Sequence, residues 1–234
     1  MFSVLILNTD NSYLEQKNLL KKGKIFDLTE IPEKKYMASP DTIRKIEKLI
    51  PEKGRFISFL GSGDYHYITY LFLKKVKRET TLVVLDNHID CKPVFDETFI
   101  SCGSWIKNAL ELPTIEKVVV VTNEGGEFHY PDLKIVKPEI EELKKEIKNA
   151  SSIYLSIDKD ILSKETLNTN WDQGNLTVEL LGKIIDTIPI GKLTGVDICG
   201  EPEPLNIFEI KKSEKINLKI IEKIAEREAF APAG

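Results

Sequence analysis

Short apolar runs rich in β-branched residues alternate with amphipathic, capped segments along the whole chain, and this alternation narrows the fold more than any other feature. Strands are expected at "SVLIL", "GRFISFL", "TLVVLD", "EKVVVVTN", "LKIV", "SIYLSID" and "KLTGVDIC", each short and apolar enough to be covered on both faces. Helices are expected at "SPDTIRKIEKLI", behind a Ser or Asp cap, at "PEIEELKKEIKNA" with Pro138 at its start, at "TVELLGKIIDTI" and at "SEKINLKIIEKIAERE". Strands alternating with helices predict an α/β fold with a mostly parallel central sheet, and 234 residues without repeat or linker favour one domain over 1–234.

Two strand ends carry the chemistry. "TLVVLDNHID" runs from strand formers into Asp86, His88 and Asp90, and "SIYLSIDKDIL" runs into Asp158 and Asp160. Alternate residues of an extended chain share a face, so each set converges if the extended conformation persists past the strand. A single D-x-D is more often a cap or turn. Two of them, with a histidine between the first pair, favour a metal site. On neighbouring strands the carboxylates would crowd one pocket and retain protons unless cations balance them, which suits two divalent ions. Oxygen-rich ligation with a minority of imidazole fits Mn²⁺ better than a structural Zn²⁺ site.

These motifs resemble the ureohydrolase superfamily of arginases, agmatinases and formiminoglutamases, whose signatures are D-A-H-x-D and S-x-D-x-D. "GSGDYHYIT" resembles the glycine-rich segment ending in a ligating histidine, and "GVDICGEPEP" resembles G-x-D-x-x-E-x-x-P. The resemblance covers roughly residues 55 to 204 and implies a three-layer α/β/α fold. It implies one Mn²⁺ on His66, Asp86, Asp90 and Asp158, a second on Asp86, His88, Asp158 and Asp160, and a bridging hydroxide that hydrolyses a C–N bond of a linear amidine or guanidino compound. Trp171, Asp172 and Gln173 are expected to line the substrate pocket through an ordered turn, with simple packing the alternative for Trp171.

The chain departs from the pattern at two places. Cys102-Gly103 stands where many members have a proton-relaying His-Gly, which turns attention to Cys102 and to His129 in "GGEFHYP" for proton handling. Gly200 stands where the guanidinium-binding glutamate falls, with Glu201 one residue later and reachable through a bulge. Cys91, Cys102 and Cys199 read first as small buried apolar side chains, although a thiol against a metal could ionise. A single-metal amide hydrolase of the deacetylase branch and a binding protein without turnover remain the alternatives.

The formal charge of −4 gives no footprint for nucleic acid, and no apolar run approaches a membrane span. Three cysteines and an N-terminus without a signal pattern lead us to expect a reducing cytoplasm. The expected partner is a small-molecule substrate, and association into a homo-oligomer is compatible with the resemblance.

Overall fold

A computed structural model describes residues 1–93, 96–126, 130–204 and 206–230. The strands in chain order are β1 (Ser3–Asn8), β2 (Gly23–Asp27), β3 (Met37–Ala38), β4 (Phe56–Phe59), β5 (Thr80–Leu85), β6 (Ile100–Ser101), β7 (Ile115–Val121), β8 (Leu133–Val136), β9 (Ile153–Asp158) and β10 (Leu193–Cys199). The α-helices are α1 (Lys17–Leu20), α2 (Pro40–Glu47), α3 (Thr69–Leu73), α4 (Trp105–Leu110), α5 (Ile140–Ile147), α6 (Val178–Thr187) and α7 (Ile207–Ala229).

An eight-stranded sheet runs in the order β2-β1-β4-β10-β9-β5-β7-β8, and every pairing in it is parallel. Every residue of β5 and of β9 is buried, as strands covered on both faces must be. Alternate residues feed two separate cores. Val83, Leu85, Leu155 and Ile157 join the layer packed by α5, α6 and α7, while Leu82, Val84 and Tyr154 face the layer of α3 and α4. The architecture is therefore the three-layer α/β/α sandwich expected from the sequence. No helix among the described residues is long and apolar enough to cross a membrane.

Local chemistry sets the helix starts. Ser39 accepts from the Thr42 amide, Thr177 from that of Leu180 and Asn206 from that of Glu209, each satisfying an orphan N–H of the first turn. Helix α5 starts two residues after Pro138, with Glu139 at its cap position, and α7 starts at its Asn206 cap instead of at Ser213. Strand β2 was not legible as a strand: it is a half-exposed edge, so "GKIFD" has no continuous apolar run.

Strand β9 lies between β10 and β5, with Ile157 paired to Ile198 on one side and Leu85 on the other. That register brings the carboxyl ends of β5, β9 and β10 level with one another, where a parallel sheet keeps its sites. Ile157 is fully buried directly below this edge. Ile157→Ala is expected to cost about 2–5 kcal/mol of stability, read as a lower denaturant midpoint at constant m-value.

Candidate metal centre

The convergence of the two aspartate motifs is made by turns and not by continued strand. Strand β5 ends at Leu85, and the Asp86 carboxylate then accepts from the His88 amide at 2.6 Å, closing an Asx-type turn. Asp90 follows in the left-handed region at φ 49°, a conformation few non-glycine residues adopt without surrounding support. Its support is Trp105, whose indole donates to Asp90 Oδ2 at 2.9 Å. Strand β9 ends at Asp158, which caps a short 3₁₀ turn over Lys159–Ile161 by accepting from the Asp160 amide. The expected extended spacing is replaced by two tight turns, each built by its own first aspartate.

His66 comes from the 3₁₀ segment Gly63–Ile68 after β4, and its ring is buried. Its Nδ1 lies 3.0 Å from Asp86 Oδ2, 3.1 Å from Asp90 Oδ2 and 3.7 Å from Asp158 Oδ2. His88 Nδ1 lies 2.8 Å from Asp160 Oδ2 and 3.6 Å from Asp86 Oδ1. All six residues expected as ligands are thus drawn into one cluster, with Asp86 turned to both histidines. Asp64, two residues before His66 in the glycine-rich segment, accepts from Trp171 Nε1 at 2.8 Å and from Asn170 Nδ2 at 3.1 Å.

The donor set fits divalent cations on an observation independent of motif. His66 Nδ1 and Asp86 Oδ2 are buried atoms without a hydrogen-bond partner although they lie 3.0 Å apart. Orphaned buried polar atoms are rare and call for an ion or water. Donors about 3 Å apart are what a common ion at ~2.1 Å from each would leave. The other imidazole nitrogen, His66 Nε2, meets Ser156 Oγ at 2.9 Å, and Ser156 donates onward to Asp197. Asp197 also accepts from Tyr154 at 2.9 Å and from Thr69 at 3.1 Å. This chain holds the His66 ring with Nδ1 toward the cluster, the role outer partners play at metal-binding histidines. Ser156, Asp197 and Trp105 were not singled out in advance, although the first two stand inside the quoted S-x-D-x-D and G-V-D segments.

Electrostatics agree. Burial, then the neighbouring carboxylates, raises Asp160 to about 8 and Asp158 to about 6, and pushes Asp86 up as well. The hydrogen bond to Asp160, with the Asp86 carboxylate nearby, raises His88 to about 11. Burial alone would pull His66 down, but the facing Cys199, Asp86 and Asp90 leave it raised. Without cations the cluster therefore holds protons.

A cavity of about 60 Å³ opens on this cluster, lined also by Trp171, Cys102, Gly103 and Lys92. Cys102 and Trp171 both border this cavity, and burial pushes the Cys102 thiol up to about 12. Asp172 is exposed and contributes its carbonyl, which accepts from Asn87 Nδ2. Gln173 does not face the cavity. Its amide donates to the Leu162 and Leu167 carbonyls and accepts from the Thr169 amide, pinning its own loop. His129 lies outside the described residues. A cavity of about 830 Å³ lies at the opposite edge of the sheet, beside Phe56, Tyr154 and Gly195, away from these groups.

Glu201 corrects the sequence reading. Its carboxylate is buried and fully committed, with Lys159, Ser213, Asn217 and Gln16 donating to its two oxygens. Gly200 is the cause. At φ 78° it turns the chain away, and a Cβ there would lie 2.3 Å from Asp158 Oδ1, so no side chain fits where the family's glutamate stands.

No family model matches the chain. A Thermotoga maritima protein described as uncharacterized is 38% identical over 217 residues, covering 92% of this chain and 87% of that protein. The chain belongs to one family with it. Among solved structures, Trypanosoma cruzi formiminoglutamase with Mn²⁺ superposes with a TM-score of 0.73 at 12% identity, over 99% of this chain and 95% of that one. The formimidoylglutamase of Bacillus subtilis gives 0.71 at 13% identity, over 99% and 88%. The proclavaminate amidino hydrolase of Streptomyces clavuligerus gives 0.70 at 15% identity, over 97% and 93%. The fold is the ureohydrolase fold. The resemblance read from the motifs holds at that level, and the ureohydrolase fold places the clustered residues at its carboxyl edge.

Two outcomes follow. A carboxyl raised in the folded state binds its proton more tightly there than when unfolded, so metal-free protein loses stability as pH climbs from ~4 toward ~8, and bound cations reverse the loss. With Asp160 at about 8, the rise in Tm on adding Mn²⁺ should be larger near pH 8 than near about pH 5, where protons compete for the same oxygens. Separately, Lys159→Met strands a buried carboxylate and should cost about 3–5 kcal/mol in denaturant unfolding, while Lys159→Met with Glu201→Met recovers much of it. A single variant no worse than the double would deny the pair its role.

Proposed function

We propose that this protein is a two-cation metal hydrolase that cleaves a C–N bond of a small linear amidine or guanidino-type compound. The observation that carries the reading is the meeting of His66, Asp86, His88, Asp90, Asp158 and Asp160 around buried atoms left without hydrogen bonds. Its support from outside the site is the shared fold with proteins described as formiminoglutamase and amidino hydrolase, one of them with Mn²⁺.

His66, Asp86, Asp90 and Asp158 would hold one cation, and Asp86, His88, Asp158 and Asp160 the other. When bound, such ions polarise a carbonyl or imine and bring a coordinated water toward ionisation near neutrality. The remaining groups belong to the protein. Trp171, edge-on to the His88 ring at 5.8 Å and fixed by Asp64, forms a wall that keeps bulk water from one side. The departing amine needs a proton, and the cavity offers two bearers outside the ligand set: the protonated Cys102 thiol and the Lys92 ammonium, whose exposed side chain exchanges with solvent. Recognition of the substrate's nitrogen cannot use Glu201, whose oxygens are already taken. The substrate's delocalised nitrogen therefore meets a different set of acceptors from the glutamate of the family pattern.

The test is a hydrolysis screen of Mn²⁺-loaded protein with agmatine, arginine, guanidinobutyrate and formiminoglutamate, alongside elemental analysis. Two ions per chain and turnover of one such compound are expected, with Asp158→Asn losing most metal and more than about a hundredfold in kcat/KM. A stoichiometry of one, unaffected by Asp160→Asn, would favour the single-metal amide hydrolase. Two bound ions with no turnover of any amidine would favour a binding protein.

A further inference from the structure

Cys199 closes β10 opposite Asp158 of β9, register partners across the central parallel pair. Its side chain is fully buried, and its Sγ donates to Asp158 Oδ2 at 3.1 Å. Sγ, a ring nitrogen of His66 and an Asp158 oxygen all lie within 4.8 Å of one another. That placement follows from the sheet. Gly200 at φ 78° ends the strand with no Cβ, and it is the absence of a side chain there that lets the β10 end approach Asp158 so closely.

A cysteine next to an aspartate would by itself mean little. The independent observation is His66 Nδ1, buried, without a hydrogen-bond partner, 3.7 Å from the Asp158 Oδ2 that Cys199 meets, its ring held from the far side by the Ser156–Asp197 chain. An imidazole nitrogen, a carboxylate oxygen and a sulfur within 4.8 Å of one another make a mixed N/O/S set.

We propose that Cys199 supplies a sulfur ligand to the cation held by His66 and Asp158. The proposal rests on the reading that the cluster binds divalent ions. On coordination the S–H proton passes to solvent and the sulfur's electron pair goes to the metal, so no oxidant or reductant is involved. A sulfur donor makes this position softer than an all-oxygen and imidazole one. It shifts preference from Mn²⁺ toward Co²⁺ and Zn²⁺, which accept thiolate readily. The two positions of the pair then differ in kind, since the Asp86, His88 and Asp160 group contains no sulfur. Cys102 lines the cavity without joining either cluster, and Cys91 does neither, so the other thiols serve as internal controls.

The experiment loads the full chain with Co²⁺ and records its absorption. A sulfur ligand gives a thiolate-to-cobalt charge-transfer band in the near ultraviolet. The band is expected in the native protein, in Cys91→Ser and in Cys102→Ser, and is expected to vanish in Cys199→Ser. Competition between Zn²⁺ and Mn²⁺, followed by elemental analysis, should show the preference for Zn²⁺ falling at least about tenfold in Cys199→Ser. If Cys199→Ser does not fold, retention of the band by the Cys91→Ser/Cys102→Ser double variant assigns it to the third thiol. Bound Co²⁺ without the band overturns the sulfur ligand and leaves the metal-site reading standing. Loss of the band in Cys102→Ser overturns it in favour of the cavity thiol. Failure to bind Co²⁺ or Mn²⁺ at all overturns both.

Discussion

Four carboxylates brought together at the ends of two adjacent strands are the constraint on which the rest of this structure depends. Two unit charges ~4 Å apart repel by about 4 kcal/mol even at an effective dielectric constant of ~20, and this cluster has several such pairs among buried groups. Asp86, Asp158 and Asp160 respond by rising toward the protonated form, and His88 by holding its proton. Neither response removes the orphaned atoms of His66 and Asp86. Divalent cations answer both problems at once, which is why the geometry reads as a metal centre and not as an acidic surface patch.

Keeping such a cluster in place takes a framework that resists its repulsion, and the protein builds one on each side. On one side the Tyr154, Ser156 and Thr69 hydroxyls converge on Asp197, fixing the His66 ring. On the other, Lys159, the residue between Asp158 and Asp160, turns away from the cluster and buries its ammonium against Glu201, Ser213 and Asn217. A buried ion pair of this kind is weak evidence for stability in itself. Its consequence here is positional: it ties the Asp158–Asp160 turn to helix α7 and to Gln16 ahead of α1, so the turn cannot relax outward without disturbing the layer that α1 and α7 share.

That tie also explains how the chain departs from the glutamate of the family pattern. Gly200 and Glu201 differ by one position along the sequence, yet they face opposite sides of the strand end. The glycine lies against Asp158, and the glutamate lies in the core. The left-handed backbone of Gly200, just past the end of β10, separates the two directions. Cys199 is carried toward the cluster by the same register. The Glu201 carboxylate belongs to the scaffold, and besides the clustered residues the cavity is bordered by Trp171, Cys102 and Lys92.

The sequence by itself determined the parallel α/β class, the chain positions of the main strands and five of the six clustered residues, because apolar runs ending in D-x-H-x-D and D-x-D carry both strand and site in a few adjacent residues; His66 came only through the resemblance of its glycine-rich segment. Local pattern was enough wherever burial was complete, as in β5 and β9. It failed at β2, where a half-exposed edge leaves no continuous apolar run. Only the tertiary structure decided that Asp86 and Asp158 build turns, that Glu201 pairs with Lys159, that Gln173 staples a loop and that Cys199 meets His66. Each of those outcomes depends on which face a strand end presents to elements distant along the chain, and neither composition nor spacing encodes that choice: it is made when β9 settles between β10 and β5 and α7 closes over Lys159.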